Sequence, residues 1–135
     1  MRYDLNLVYD LCRETGFSVR MAGDQRVEVD LGQGAVLCFK NAEREEDSLI
    51  GFLGTAWHVH DRLVFVGARG HYVELDYLDL IVGLKEGRVL VCELEFESRT
   101  VDRWLTHSEY NDEFKQLEDG ERIVVRRAMG NWGRE

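Results

Sequence analysis

Residues 17–40, which read FSVRMAGDQRVEVDLGQGAVLCFK, decide the fold of this chain. Apolar and polar side chains alternate in the first two parts of this stretch, and the third part is an apolar run. Glycine-containing turns separate the parts at 23–24 and 32–34. Alternation with a period of two places one face of a strand in the core and the other in water, and turns this short join antiparallel neighbours. The stretch therefore predicts a three-stranded antiparallel meander.

Helical spacing of apolar residues predicts helices outside this meander. The first covers 3–15 and ends at Gly16, and the second covers 76–84 with Asp76 as its cap. A third is expected where Thr106 and Glu109 have capping-box spacing, before Tyr110, Phe114 and Leu117, and Gly120 ends it. Further strands are expected at 56–66 (interrupted near 61–62), 71–75, 88–97, 100–105 and 121–128. Residues 41–47 are expected to form a polar loop and 129–135 a frayed tail, whereas 48–54 fit no single type.

The order of these elements does not alternate strand with helix, which favours an α+β fold over a parallel sheet. A length of 135 residues fits one domain, covering 1–135. We therefore expect a mostly antiparallel sheet of five to seven strands with two or three helices packed on it. Cys12, Cys38 and Cys92 lie among apolar residues and are far apart in sequence, so we expect three buried thiols.

The charge balance restricts the classes of partner. The chain has 17 Lys and Arg against 26 Asp and Glu, a formal net charge of −9. Nucleic-acid binding needs clustered basic residues and is therefore disfavoured. Because no apolar run approaches the roughly 20 residues of a membrane helix, and the N-terminus does not read as a signal peptide, we expect a cytoplasmic protein without a membrane partner. A basic protein is the charge-complementary partner.

The strand expected at 88–97 carries the most distinctive acidic pattern. Glu93, Glu95 and Glu97 alternate there and would share one face of the sheet. The partner-binding residues predicted from this pattern and from the aromatic and acidic residues downstream are Glu93, Glu95, Glu97, Trp104, Glu109 and Asp112. The alternative is a solvated sheet face whose acids pair with arginines on neighbouring strands, such as Arg122 and Arg126.

In size, charge and fold class the chain is similar to bacterial immunity proteins and inhibitors that block the active site of a toxin or nuclease. The resemblance is one of physical type and is not carried by a sequence motif. It implies a non-catalytic inhibitor or immunity-type module without a cofactor, steered to a basic partner by its negative potential.

The sequence also allows two other functions. His58 and His60 lie two residues apart and would share one face of a strand, where Asp61 and His71 could complete the shell of one divalent transition metal in a small metal-dependent enzyme. The other alternative is a homodimeric small-molecule binder. Its pocket would lie between sheet and helix and be lined by Trp57, Phe65, Tyr72 and Tyr77.

Overall fold

The computed structural model describes residues 2–42, 47–112 and 116–131. Two α-helices and ten strands are assigned within these ranges, together with one short 3-10 turn at Ala68–Gly70. In chain order they are α1 (Leu5–Glu14), β1 (Ser18–Met21), β2 (Arg26–Asp30), β3 (Val36–Asn41), β4 (Ser48–Phe52), β5 (His58–His60), β6 (Leu63–Val66), β7 (Tyr72–Leu75), α2 (Tyr77–Glu86), β8 (Val89–Phe96), β9 (Arg99–His107) and β10 (Glu121–Arg127).

The strands form three antiparallel sheets, and the predicted α+β class is confirmed. The sheets have the orders β1-β2-β3-β4-β5, β10-β8-β9 and β6-β7. The ten strands of the described residues form three sheets, where one sheet of five to seven strands was expected, and two features raise the number of strands from the eight predicted segments to ten. Residues 48–54, which fitted no type, contain β4, and the expected interruption at Asp61 separates β5 from β6, which belong to different sheets. Asp61 has a φ of 61°, which turns the chain out of the first sheet.

The predicted meander is confirmed as β1, β2 and β3, and it supplies much of the core. Val27 pairs with Phe39, and Phe39 in turn pairs with Ile50 of β4. All three side chains are fully buried. Helix α1 covers this face with Val8 and Cys12, which are also fully buried. The apolar alternation therefore points one face of the five-stranded sheet at the core and leaves the opposite face, with its charged residues, on the outside.

Both predicted helices are present and the predicted cap Asp76 is confirmed, although α1 begins only at Leu5 and α2 continues to Glu86. The Asp4 carboxylate accepts a hydrogen bond from the Leu7 amide at the start of α1, and Asp76 accepts from the Leu78 and Asp79 amides at the start of α2. These acceptors satisfy backbone donors that have no partner within the helix. Gly87 ends α2 with a φ of 80°, a left-handed conformation that glycine adopts without a steric penalty.

The third predicted helix is wrong in the part of it that the structure describes. Thr106 and His107 belong to β9, where they pair with Leu90 and Val89. Neither 108–112 nor 116–120 is helical. The capping-box spacing gave a wrong prediction because strand pairing holds Thr106 and His107 in the sheet. The amides of Glu109 and Tyr110 donate to the His107 ring and not to the Thr106 side chain. Phe114, part of the same prediction, lies outside the described residues.

The chain after β10 is bound to the fold at 129–131, where the sequence predicted a frayed tail. The Met129 amide donates to the Leu31 carbonyl at 2.9 Å, and the Asn131 amide donates to the Gly16 carbonyl at 2.7 Å. Ala128 is buried. The remainder of the predicted tail, 132–135, and residues 43–46 of the predicted loop lie outside the described residues.

A buried amide connects the N-terminal segment to the first sheet and gives a direct test of the fold. Asn41 Oδ1 accepts from the Tyr3 amide at 2.8 Å, and Asn41 Nδ2 donates to the Tyr3 carbonyl at 2.9 Å. We expect Asn41→Ala to lower the free energy of unfolding by about 2–3 kcal/mol, because it leaves buried backbone groups without partners. Asn6→Ala on the exposed face of α1 should change it by less than about 0.5 kcal/mol in urea denaturation. Similar losses in the two variants would contradict the assigned role.

Candidate functional site

Glu93 lies inside the protein and not on an exposed acidic face, which corrects the sequence prediction. Its side chain is 5% exposed, and its two oxygens accept hydrogen bonds from Arg103 Nε at 2.9 Å and Arg126 Nε at 2.8 Å. The arginines are themselves only 15% and 12% exposed. Burial opposes the charged carboxylate, but the two arginines outweigh it and lower the pKa of Glu93. A basic partner could not reach this carboxylate without displacing both arginines.

The other two acids of the predicted row differ from Glu93 and from each other. Glu95 accepts a hydrogen bond from Arg122 Nε at 2.7 Å, and the Arg122 side chain is 74% exposed. The alternative of arginine partners on a neighbouring strand is therefore confirmed, with Arg126 for Glu93 and Arg122 for Glu95, but the face is not solvated at Glu93. Glu97 is exposed but lies beyond the end of β8, in a tight turn where it has a φ of 51°. The three glutamates consequently do not form one exposed row.

The sheet register places Trp104 on the opposite side from these glutamates. Trp104 is paired with Cys92, the neighbour of Glu93 in β8, and successive residues of a strand point to opposite faces. The Glu93 face is continuous with Val89, Val91 and the core, so we call it the inner face of the three-stranded sheet. Trp104 lies on the outer face. A partner could not contact Glu93 and Trp104 on a single surface.

Glu109 and Asp112 lie near the opposite end of the sheet from Glu97. They follow His107, which pairs with Val89 at the start of β8, whereas Glu97 follows the last residue of that strand. Seven residue steps along a strand span roughly 20 Å. Glu109 and Asp112 are both exposed. The predicted partner-binding residues are thus brought to separate places: an inner face, an outer face and the two ends of one sheet.

The segment that carries Glu109 is held by the ring of His107. The amides of Glu109 and Tyr110 both donate to His107 Nδ1, at 3.0 Å and 3.2 Å. The ring is buried between Phe65 and Tyr110, with centroids 5.7 Å and 5.1 Å away. Because a ring nitrogen that accepts hydrogen bonds carries no proton, the imidazole is neutral here. Burial lowers the pKa of His107, with a smaller opposing effect of Glu109.

Acids that the sequence analysis did not select lie beside Glu97. Glu121 pairs with Phe96, and a side-chain carbon built on Gly120 would lie 3.1 Å from the Phe96 ring, so the turn before β10 contacts the end of β8. We call the surface formed by Glu97, Glu118, Asp119 and Glu121 the acidic end of the sheet. Glu118 and Asp119 are exposed, and Glu121 is half-buried. This grouping depends on the pairing of β8 with β10, two strands far apart in the sequence, so only the structure reveals it.

The histidine pair is confirmed as neighbours on one face, but its expected companions are elsewhere. The rings of His58 and His60 are 5.2 Å apart on the outer face of the five-stranded sheet. Nδ1 of His58 is 3.0 Å from the Ala56 carbonyl, and Nδ1 of His60 is 3.1 Å from an Asp47 oxygen. Within the described ranges, no three His, Cys, Asp or Glu side chains are grouped so that they could hold a metal ion, and neither Asp61 nor His71 completes the pair.

The four residues expected to line a ligand pocket have separate surroundings. Phe65 is buried in the core, and the Tyr77 ring packs on Tyr3 with centroids 4.4 Å apart. Tyr72 is 63% exposed on β7. Trp57 contributes to a cavity on the outer face of the five-stranded sheet, which none of the other three lines.

Comparisons with protein-family models, with curated proteins and with solved structures find no match for this chain. Among the described residues, neither helix has the length and apolar character needed to cross a bilayer.

The Glu93 cluster predicts a large difference between two glutamates of the same strand. We expect Glu93→Ala to lower the free energy of unfolding by about 3–5 kcal/mol, because it leaves two buried guanidinium groups without their carboxylate. Glu95→Ala should cost about 0–1 kcal/mol, because its partner Arg122 is exposed to water. Urea denaturation measures both, and Glu93→Gln provides a milder variant if Glu93→Ala does not fold. Equal losses at the two positions would refute the cluster's role.

His107 predicts a pH dependence of stability. Its folded-state pKa is lower than the ordinary value near 6.5, so below that pH the unfolded chain binds more protons than the folded one. Stability should therefore fall as the pH decreases from 7.5 to 5.5, until the pH passes below the folded-state pKa. His107→Gln should flatten this dependence, whereas exposed His71→Gln should retain it. Chemical denaturation across this pH range would refute the assignment if both variants matched the parent chain.

Proposed function

We propose that this chain is a non-catalytic binding module of the cytoplasm that holds a basic protein, in the manner of an immunity or inhibitor protein. The observation that carries the proposal is the charge at the acidic end of the sheet. Residues 95–99 and 116–122 contribute five carboxylates, with two guanidinium groups among them: Glu95, Glu97, Glu118, Asp119 and Glu121 against Arg99 and Arg122. Such a local excess complements a cationic surface.

Apolar side chains beside these acids supply the contacts that charge alone does not provide. Leu117 is 43% exposed and Val101 is 48% exposed, and Phe96 and Ile123 are half-buried at the same end. Val125, 52% exposed, continues along the outer face that also carries Trp104. Protein interfaces typically combine an apolar centre with a polar rim, and aromatic residues often dominate their binding energy. The acidic end and the adjoining outer face have this composition.

Electrostatics also decides which partner this surface excludes. A second copy of the chain carries the same net charge of −9, so two acidic ends repel each other. A basic protein is instead attracted over a distance of about a Debye length, roughly 8–10 Å at physiological salt. Long-range attraction raises the association rate more than it slows dissociation. Glu109 and Asp112 add to the field from the far end of the sheet without joining the contact.

Paired capture experiments test this proposal. The parent chain and the triple variant Glu97→Lys, Glu118→Lys, Asp119→Lys are immobilised and exposed to lysate of the source cells at low salt. We expect the parent chain to retain a basic protein that the variant loses. With the captured protein purified, the association rate should fall at least about tenfold between 50 and 500 mM salt, because the exposed charges are then screened.

A matched control separates location from net charge. The triple variant Asp10→Lys, Glu14→Lys, Asp79→Lys reverses three exposed acids on α1 and α2, and it should retain the partner almost as the parent chain does. Loss of the partner in both triple variants would show a response to total charge and refute the acidic end as the site. Capture of an acidic or neutral partner, or an association rate indifferent to salt, would refute the proposed class of partner.

A further inference from the structure

A second surface with the opposite charge lies on the outer face of the five-stranded sheet. It is a cavity of about 290 Å³ between β2, β3, β4 and the turn that leads into β5. The residues that matter for its chemistry are Arg26, Cys38, Lys40, Leu49, Leu53 and His58. None of the described residues that line it is Asp or Glu, although acids outnumber bases in the whole chain.

The cations of this cavity are arranged unfavourably unless an anion joins them. Arg26 and Lys40 are direct cross-strand partners on the same face, and like charges in such pairs are destabilising. Lys40 forms no ion pair within the described part of the chain. The nearby Glu28 carboxylate is already engaged by Arg20, at 2.6 Å from Nη2 and 2.7 Å from Nε. This one carboxylate lies within ion-pair distance of Arg20 and Arg26, and none of the described acids pairs with Lys40.

Arg26 also carries an unused donor. Its Nε is buried and has no hydrogen-bond acceptor among the described residues, although it lies 3.2 Å from a Glu28 oxygen. Buried N–H groups are nearly always paired in folded proteins. The nearby thiol supplies no competing anion, because burial raises the pKa of Cys38 to about 11 and keeps it neutral. An anion in the cavity can therefore reach the remainder of the Arg26 side chain, which is 41% exposed, together with the exposed Lys40.

The shape of the cavity depends on a glycine, Gly51, which has no side chain to fill it. Gly51 lies between Cys38 and His58 in one row across the sheet. A side-chain carbon at Gly51 would lie 2.9 Å from the Trp57 carbonyl oxygen and 3.1 Å from His58 Cβ. Glycine therefore lets β5 approach β4 closely and leaves the row open at this point. Leu49 is half-buried and Leu53 is 39% exposed, so the remaining walls are apolar and accessible.

We propose that this cavity binds a small organic monocarboxylate. The carboxylate lies between Lys40 and Arg26, and the hydrocarbon part contacts Leu49 and Leu53. A single negative charge suits the site because Glu28 already offsets part of the local positive charge, and apolar walls disfavour a strongly hydrated dianion. The site is separate from the acidic end, which belongs to the three-stranded sheet. Sites of this kind combine an apolar lining with a few placed polar groups.

Calorimetric titration with octanoate, together with NMR mapping, tests the site. We expect saturable binding of octanoate, with amide shifts concentrated at 26–28, 38–40 and 49–58. Lys40→Gln should weaken the binding about tenfold, the usual effect of losing one charge-assisted hydrogen bond, and Lys40→Arg should restore most of it. Octan-1-ol, which has the same chain length without the charge, should bind at least about tenfold more weakly than octanoate.

Arg13→Gln on α1 is the matched control, because it removes the same charge from an element that packs on the opposite face of the sheet. It should bind octanoate as the parent chain does. The proposal is overturned if octanoate shows no saturable binding, if Lys40→Gln binds it unchanged, or if octan-1-ol binds equally well. Tighter binding of inorganic phosphate than of octanoate at the same residues would also overturn the monocarboxylate assignment.

Discussion

The structure depends on the ion cluster in which Glu93 of β8 accepts hydrogen bonds from Arg103 of β9 and Arg126 of β10. Arg126 also donates to the carbonyls of Leu31 and Gly32, at 3.0 Å and 2.7 Å, in the turn between β2 and β3. One guanidinium group therefore connects the three-stranded sheet to the five-stranded sheet. Burying three charges is costly, and the cost is offset only when all the partners are in place. The cluster consequently requires one mutual arrangement of the two sheets.

This arrangement separates the surfaces of the protein by charge. Because Glu93 pairs with two arginines on the inner face, the exposed acids of the three-stranded sheet lie at its end, around Glu97 and Glu118. The cations of the five-stranded sheet are left on its outer face, where Arg26 and Lys40 face each other. The two ligands that we propose, a basic protein and a small anion, would therefore contact separate surfaces of a protein whose net charge is −9.

The elements that the sequence predicted correctly are those specified by neighbouring residues. The meander follows from the alternation in 17–40, and both helices follow from apolar spacing, with a capping aspartate predicted for α2. The predicted third helix was wrong because the local signal, Thr106 followed by Glu109, competed with the eight residue pairs between β8 and β9 that place Thr106 in a strand. The prediction of one exposed row of glutamates on β8 was wrong for a similar reason. The alternation of side chains along a strand indicates which residues share a face, but it does not indicate which of the two faces packs against the core.

The sequence by itself determined the α+β class, the core of the first sheet, the presence of both helices and the excess of acid, since each depends on composition or on contacts a few residues apart. Only the tertiary structure decided that Glu93 is buried while Glu97 is exposed, that Trp104 lies on the opposite face, and that the turn before β10 brings Glu118 and Asp119 to Glu97. It likewise decided that Arg26 and Lys40 are cross-strand neighbours in the lining of one cavity. These outcomes depend on strand register and on the packing of one sheet on another, which are set by contacts between residues far apart in the chain.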